Sequence, residues 1–241
     1  AGGDGTLFEV VNGIWWENRG TLPSVAMVSL GTGCDYLRSF RARRDPAREL
    51  TSALRNPAVG VGVGMAGLRG ADGSAVRRVF LNVIGAGFDG SVALRLQRSA
   101  RSKLGRASYV VALLRELQTL KSHRLEGTLD GRALEADSVM MAACLGRFFG
   151  AGMMIAPEAS PLADHFQVIW SHGAGPLEMV GLLPGIYRGK HLDHPSVRSC
   201  SAQQLRVDAA PPAPVEAEGE PLGWTPLSVH ILPRALSFVP P

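Results

Sequence analysis

The chain begins with Ala1-Gly2-Gly3-Asp4-Gly5-Thr6-Leu7-Phe8-Glu9, and this glycine-rich segment decides how the rest of the sequence is interpreted. Its glycines let the backbone turn sharply and approach a ligand closely. Thr6 and Glu9 have the spacing of a helix capping box. One apolar helix face then follows, formed by Leu7, Val10, Val11 and Ile14. The segment predicts a glycine turn at the start of a helix, where free backbone N–H groups can bind an anion. An ordinary capped turn is the alternative, because a lone glycine cluster is a weak signal.

Asp4 lies inside this turn, among the predicted backbone donors. A carboxylate there is badly placed to bind a phosphate itself. It is better placed to orient a metal ion or to take a proton from an attacking hydroxyl group.

The composition is that of a folded protein with a hydrophobic core: 46% of the 241 residues are hydrophobic and 19% are charged. Apolar stretches such as 139–145 are far shorter than the roughly 20 residues of a membrane span, so we predict no transmembrane segment. No signal or transit peptide is recognisable. The three cysteines are odd in number and widely spaced, which favours a reducing compartment and no zinc site.

The formal charge is +4, and basic residues concentrate in two clusters, Arg38/Arg41/Arg43/Arg44 and Arg95/Arg98/Arg101/Lys103/Arg106. Such clusters are usually solvated helix faces; the alternative is attraction to phosphates or to an anionic membrane surface. Few aromatic residues accompany them and no nucleic-acid-binding motif is present, so we do not expect nucleic acid as a partner.

The first part of the chain has an α/β pattern. Pro23–Leu30 predicts a buried strand, Gly31–Asp35 a second glycine turn with Thr32 or Asp35 as the helix cap, and Asp45-Pro46 a helix to about Leu54. Ligands bind at the edge of a parallel sheet where such turns meet.

From about Asn56 the pattern changes to short strands bounded by turn residues, which predicts an antiparallel sandwich or barrel. The predicted strands are Val59–Met65, Arg77–Ile84, His123–Leu129, Ala136–Leu145, Phe166–Ser171, Gln204–Asp208, Pro214–Ala217 and Leu227–Leu232. The predicted helices are Ser108–Leu120 and Pro176–Ile186, and the predicted hairpin turns are Asp72-Gly73 and Asp130-Gly131.

Five segments, in order along essentially the whole chain, resemble the catalytic domain of the diacylglycerol kinase and sphingosine kinase family. They are Gly2–Gly13 (its nucleotide loop), Leu30–Asp35 (its second loop), Asn82–Asp89, Gly146–Ala159, and Glu218–Leu222 with Leu232–Leu236. Within that family, Trp15–Glu17, Asp45-Pro46 and Gly189–Leu192 are more similar to plant-type sphingoid long-chain-base kinases than to bacterial diacylglycerol kinases.

The resemblance implies a fold class of α/β plus β. We expect a partial NAD-kinase-like α/β domain over 1–57, without the family's first strands, and a β-sandwich lipid and metal domain over 58–241. The last strand is expected to return towards the first domain.

The resemblance also implies cofactors, ATP and Mg²⁺, and roles for individual residues. The nucleotide-binding residues would be Gly2, Gly3, Asp4, Gly5, Thr6, Leu7, Phe8, Gly31 and Thr32. Asp164 would be the metal carboxylate, with Pro161 and Phe166 contributing carbonyl groups. Glu220 would accept the proton of the lipid hydroxyl, with Asp4 close to the same reaction centre.

The chain departs from the family pattern at six positions: Phe8, Cys34, Gly62, Leu145, His165 and Glu218. Two hypotheses from different classes follow. The first is a lipid kinase that phosphorylates a sphingoid base or diacylglycerol at a membrane surface. The second is a catalytically weak homologue that binds a lipid or a partner. NAD kinases share the first loop, but the 146–153 and 218–222 segments resemble the lipid branch.

We expect a cytoplasmic protein that associates peripherally with membranes, with a mitochondrial location as the alternative, and a homodimer is left open. The sequence does not decide which lipid is phosphorylated, because an acyl-chain pocket is built from generic apolar residues.

Overall fold

The computed structural model describes residues 1–17, 20–31, 33–40, 44–98, 113–173 and 175–241. Its helices are α1 (Asp4–Glu17), α2 (Asp35–Arg38), α3 (Pro46–Arg55), α4 (Phe88–Arg98), α5 (113–118) and α6 (Pro176–Ile186), followed by a 3₁₀ turn at Lys190–Asp193. Its strands are β1 (Val25–Ala26), β2 (Val59–Arg69), β3 (Ala75–Phe80), β4 (Val83–Gly87), β5 (His123–Leu129), β6 (Arg132–Ser138), β7 (Met140–Cys144), β8 (Phe166–Ser171), β9 (Val197–Ala202), β10 (Gln204–Ala210), β11 (Pro214–Ala217) and β12 (Glu220–Val239).

The long strand β12 connects the two parts of the molecule. It pairs antiparallel with β2, β10 and β11, and its end pairs in parallel with β1, where Val25 lies opposite Phe238. The strand order through the described part of the chain is β6-β5-β10-β12-β11-β4-β7-β8-β9. The beginning of β12 therefore lies beside β4 and β11, and its end lies beneath the α/β elements.

Three apolar clusters form the core. One lies under α1 and α2, where Tyr36 packs edge-on against both Phe40 and Phe238. The second is the interior of the sandwich, around Ile84 and Phe166. The third lies between the inner strands β7 and β8 and the helices α4, α5 and α6.

Several elements agree with the sequence. Strands β5, β8 and β11 and helix α6 have the predicted bounds, and the Asp45 carboxylate caps α3 by accepting a hydrogen bond from Arg48 N at 3.1 Å. At Asp130-Gly131 both residues have positive φ, as a two-residue hairpin turn requires. The beginning of the predicted helix Ser108–Leu120 lies outside the described residues.

Two segments that were each predicted as a single strand are divided into two strands in the structure. Arg77–Ile84 breaks at Leu81 and Asn82, because their N–H groups donate to the carboxylate of Glu218 instead of a neighbouring strand. Ala136–Leu145 breaks at Val139, where the Ser171 hydroxyl accepts from Val139 N.

The helix starts were also partly wrong. α1 begins at Asp4, two residues before the predicted capping box, so Thr6 lies inside the helix. α2 is preceded by Cys34 in the left-handed conformation (φ 54°), and its N-terminal N–H groups are bound by a side chain from another segment. The predicted strand Pro23–Leu30 is regular only at Val25–Ala26. Helix α4 and strand β9 have no counterpart among the predicted elements.

Candidate active site

The two glycine loops contact each other through their backbones. Gly2 N donates to Val28 O at 3.0 Å, and Gly2 O accepts from Leu30 N and Gly31 N at 2.9 and 3.0 Å. A Cβ on Gly31 would stand only 2.3 Å from the Cα of Gly3. Glycine is therefore required where the loops cross, and the start of α1 is fixed against the end of the β1 segment.

Asp4 holds the second loop in place. Its carboxylate accepts hydrogen bonds from Asp35 N at 3.0 Å and from Tyr36 N at 3.2 Å, the first N–H groups of α2. These donors have no partner within the helix, so Asp4 acts as a cap supplied by another segment. This geometry gives Asp4 a positioning role that the sequence analysis did not predict.

Asp35 connects α2 to the glycine-rich loop 146–153. Its Oδ2 accepts from Ala151 N at 2.7 Å, and its Oδ1 forms an ion pair with Arg38 Nε at 3.0 Å. Ala151 has a φ of 68°, an uncommon conformation for a residue with a side chain. The loop is thus held across the cleft from α1.

Glu218 lies at the turn between β11 and β12, in the left-handed conformation. Its Oε1 accepts from Asn82 N at 2.6 Å and from Leu81 N at 3.1 Å. Burial, followed by the nearby Asp4 charge, raises the pKa of Glu218 to about 8, in spite of these two hydrogen bonds. The carboxyl group therefore retains its proton near neutral pH.

Asp89 and Glu216 form a buried acidic pair behind Glu218. Burial raises the pKa of Asp89 to about 7, and burial together with Asp89 raises the pKa of Glu216 well above its ordinary value. Gly90 N donates to Asp89 Oδ1 at 3.0 Å, and Gly219 N donates to Glu216 Oε2 at 2.7 Å. A second negative charge beside the first is unfavourable in a buried site, so the pair favours protonation over carrying two charges.

These groups line one cleft of about 260 Å³. Its carboxylates come from five positions: Asp4, Asp35, Asp89, Glu216 and Glu218. Among the described residues that line it there is no lysine, arginine or histidine. The raised pKa values leave several of these carboxyl groups protonated near neutral pH. Without a cationic side chain among its described lining residues, the cleft still favours a cation or a metal-bound phosphate over a free anion.

Of the predicted nucleotide residues, Asp4 lines this cleft, and several of the glycines lie at the loop crossing next to Asp4. Gly2, Gly3 and Gly31 form the crossing of the loops, and Gly5 lies under Glu220, whose Oε1 would be 3.1 Å from a Cβ on Gly5. Glu220 itself is exposed at the start of β12. Thr6 is exposed on the first turn of α1, and Thr32 lies outside the described residues.

Leu7 and Phe8 do not have the predicted role through their side chains. Both side chains are buried, Leu7 under α1 and Phe8 in the sandwich core. The N–H of Leu7 already donates to Gly3 O at 3.0 Å. Both side chains face the apolar interior, and the assignment of these two positions to the nucleotide site stays a prediction.

The residues predicted to hold a metal lie apart from the cleft. Asp164 is exposed and pairs with His165 Nδ1 at 3.1 Å, a hydrogen bond that lowers the pKa of Asp164. Pro161 O accepts from Gly62 N at 2.8 Å, and Phe166 is fully buried at the start of β8. No group of three or more His, Cys, Asp or Glu side chains in the described ranges could hold a metal ion. A site built from one carboxylate and backbone carbonyls stays a prediction.

The predicted basic clusters are only partly described. Arg38 is paired with Asp35 and Arg95 with Glu116, so both side chains have anionic partners within the fold. Positions 41, 43, 101, 103 and 106 lie outside the described residues.

Sequence reasoning missed Asp89, Glu216, Asp35 and Asn82 as members of the cleft. Asn82 is buried and donates from Nδ2 to Phe148 O at 2.8 Å, so it fixes the loop that closes the cleft. The available signal was acidic residues next to glycines: one in Gly87–Gly90 and three in Glu216–Glu220. Only the strand pairing of β4 with β11 shows that these two segments meet.

The sequence matches two family models. Residues 1–66 match the diacylglycerol kinase catalytic domain, and residues 82–240 match the YegS C-terminal NAD kinase beta sandwich-like domain. The chain belongs to the diacylglycerol kinase catalytic-domain family of lipid kinases. Family membership, predicted from the five segments, is thereby confirmed.

Relatives named diacylglycerol kinase align along the whole chain. The protein from Bacillus subtilis (strain 168) is 23% identical over 243 residues, which cover 100% of this chain and 76% of the relative. The protein from Mycobacterium tuberculosis (strain ATCC 25618 / H37Rv) is 25% identical over 242 residues, with 100% and 75% covered.

Solved structures confirm the fold class of this lipid kinase family member. A diacylglycerol kinase from Bacillus anthracis str. Sterne superposes with a TM-score of 0.69 at 16% identity and covers 99% of this chain and 74% of that chain. Yeast NADH kinase complexed with NADH has a TM-score of 0.53 at 13% identity, with 98% and 58% covered. These likenesses support the predicted NAD-kinase-like part and β-sandwich. No helix within the described ranges is long and apolar enough to cross a membrane.

Proposed function

We propose that this chain transfers the γ-phosphate of ATP, with Mg²⁺, to the hydroxyl group of a sphingoid base or diacylglycerol. The observation that carries the proposal is that Asp4 of the first loop, Gly33 of the second loop and Glu218 line one cleft. Glu220 lies beside it, against Gly5 of the first loop. Family membership supports the same reaction class.

The residues at the loop crossing fit a nucleotide phosphate. The first N–H groups of α1 have no partner within the helix, and the helix dipole is positive at this end. Gly3 and Gly31 are packed backbone to backbone, so no side chain fills the approach to these donors. Bound Mg²⁺-ATP would supply the transferable phosphoryl group and offset the negative charge of the cleft.

Asp4 and Glu218 position the groups around the reaction, and Glu220 removes the proton. Asp4 keeps α2 and its loop against α1 through its bonds to Asp35 N and Tyr36 N. Glu218 orders Leu81 and Asn82. The lipid oxygen attacks the γ-phosphorus as its proton passes to the Glu220 carboxylate, and ADP leaves. Such a base helps as the hydroxyl proton becomes acidic in the transition state.

Mg²⁺ bound at Asp164, with carbonyl oxygens of Pro161 and Phe166, is a second part of the proposal. Its oxygen donors have the chemistry that Mg²⁺ prefers. Asp164 is not among the residues that line the cleft, so an ion held there would stabilise the segment between β7 and β8 and would not touch the transferred phosphoryl group.

We further propose that the protein works in the cytoplasm, at a membrane surface, because its substrate resides there. A mitochondrial membrane is the alternative location, and a homodimer is compatible with this reaction.

Lipid-dependent ADP release distinguishes the two glutamates at the turn. Glu220→Gln should lower kcat by about 100-fold or more, since general base catalysis typically contributes that much. Glu218→Gln replaces a carboxyl group that holds its proton near neutral pH with a neutral amide and keeps an acceptor for Leu81 and Asn82, so we expect a smaller loss. The opposite ranking would reassign the proton acceptor to Glu218. No lipid-dependent ADP release from the wild type would favour the catalytically weak, lipid-binding homologue.

A further inference from the structure

A narrow apolar cavity adjoins the carboxylate cleft. It lies between β7, β8 and the helices α4, α5 and α6, and its walls include Leu113, Met140, Met153, Ile169, Met179 and Leu182. Asp89, Val92 and Phe149 line both the cavity and the cleft. The two spaces therefore meet at Asp89, close to where phosphate would be transferred.

Two buried polar atoms within this apolar surrounding have no hydrogen-bond partner among the described residues. They are Asp89 Oδ2 and His191 Nδ1. The two residues are only 7% and 3% exposed, and both line the cavity. A buried polar group without a partner costs about 1–3 kcal/mol, so such atoms in a cavity indicate that a ligand supplies the partner.

The hydrogen-bonding role of His191 follows from its other nitrogen. Nε2 lies 2.9 Å from Ile155 O, and a carbonyl oxygen can only accept, so Nε2 carries the hydrogen. Burial lowers the pKa of His191, which keeps the ring neutral. Nδ1 is therefore an acceptor, and its partner must be an N–H or O–H donor.

We propose that His191 Nδ1 accepts a hydrogen bond from an amino, amide or hydroxyl group of the lipid and selects sphingoid-type lipids over diacylglycerol. This inference rests on the proposed function. A sphingoid base carries such donors beside its reacting hydroxyl, whereas diacylglycerol has no donor except that hydroxyl. The lipid chain would extend into the apolar cavity, and the reacting end would face Asp89.

The alkyl chain of the lipid can enter this cavity only when side chains of α6 move. The free space is about 50 Å³, too small for an alkyl chain in this conformation. Met179 and Leu182 on α6 form part of the wall, and methionine adapts easily to a changed neighbour. His191 lies in the 3₁₀ turn that follows α6, so it is placed to contact a lipid that displaces this helix.

Two substitutions at His191 distinguish the hydrogen bond of Nδ1 from the hydrogen bond of Nε2. In His191→Gln the amide nitrogen can replace Nε2 and keep the bond to Ile155 O, while the acceptor at Nδ1 is lost. In His191→Asn the amide oxygen lies near the position of Nδ1, while the bond to Ile155 O is lost. His123→Asn is a matched control, because His123 is a buried histidine remote from the cavity whose Nδ1 lies 2.7 Å from Pro211 O.

The test measures kcat/KM for a saturated sphingoid base, its N-acyl derivative and a diacylglycerol in each variant, with thermal unfolding as a check of folding. We expect His191→Gln to lower kcat/KM about 10-fold for whichever donor-bearing lipid is the substrate, mainly through KM, because one lost hydrogen bond is worth about 1.4 kcal/mol. Diacylglycerol should change less than twofold. His191→Asn should retain the preference, and His123→Asn should change nothing.

Equal effects on all three lipids, or none, would overturn the inference and leave the kinase proposal intact. If the wild type phosphorylates no lipid, the kinase proposal fails separately, and equilibrium binding of the same radiolabelled lipids still tests His191. Preferential binding of a donor-bearing lipid that His191→Gln removes would support the inference. Binding that does not discriminate, or no binding, would overturn it.

Discussion

Gly3 and Gly31 lie so close that a Cβ on Gly31 would stand 2.3 Å from the Cα of Gly3. This contact joins two glycines that are 28 positions apart in the sequence, and no side chain can be accommodated between them without a backbone shift. The geometry of the phosphate-facing end of α1 therefore depends on a residue in the second loop.

Gly31→Ala should destabilise the protein by about 2 kcal/mol or more, because relieving the overlap requires movement of both loops. For a domain of this size the midpoint of thermal unfolding should fall by several degrees. Gly13→Ala is the matched control: Gly13 is exposed on α1, and its added Cβ would meet nothing within 4 Å. The free energy of unfolding of this control should rise by up to about 1 kcal/mol, because alanine is more stable than glycine inside a helix. Equal stability of the two variants would contradict the described loop crossing.

Asp4→Ala should separate α2 from α1, because it removes the acceptor of Asp35 N and Tyr36 N. Loss of a helix cap costs about 0.5–2 kcal/mol, which denaturant unfolding can measure. Kinase activity should be abolished, whereas Glu9→Ala, an exposed position on the same helix, should leave both quantities nearly unchanged. An Asp4→Ala protein with wild-type stability would show that Asp4 is not a cap.

The buried acids should make stability depend on pH. Asp89 has a raised pKa of about 7 and faces Glu216 and the thiol of Cys144. The native state thus keeps a proton that the unfolded state releases near pH 4, and the free energy of unfolding falls as pH rises from about 4 towards 7. Glu218, with a pKa of about 8, extends this loss to slightly higher pH.

Asp89→Asn should flatten this dependence, because the amide mimics the neutral acid and does not ionise. Thermal unfolding between pH 5 and 8 measures the slope, and each unit of pKa shift is worth about 1.4 kcal/mol. Glu135→Gln, on the exposed face of β6, is the control and should retain the wild-type slope. An unchanged slope in Asp89→Asn would mean that Asp89 is ionised in the folded protein.

Local signals predicted much of the fold. Asp45-Pro46 starts α3 because a carboxylate cap and a proline at the first helical position act within a few residues. The bounds of β5, β8 and β11 follow from alternating or apolar runs that end at turn residues. The glycine loop before α1 was also recognisable.

Long-range contacts decided what the sequence did not predict. The break between β3 and β4 depends on Glu218, which lies far along the chain. The role of Asp4 as a cap for α2 and the meeting of Asp89 with Glu216 likewise require the tertiary fold. The sequence places Phe8 next to the predicted phosphate loop, but in the folded protein its side chain packs in the hydrophobic core.

Transfer of labelled phosphate from [γ-³²P]ATP with Mg²⁺ to a panel of sphingosine, diacylglycerol and ceramide tests the central claim most directly. We predict a labelled lipid phosphate from at least one of the first two, and none when Asp4→Ala replaces the wild type or when Mg²⁺ is removed by a chelator. A folded wild-type protein that labels no lipid, or label transfer that persists in Asp4→Ala, would contradict the assignment of this cleft as a lipid kinase active site.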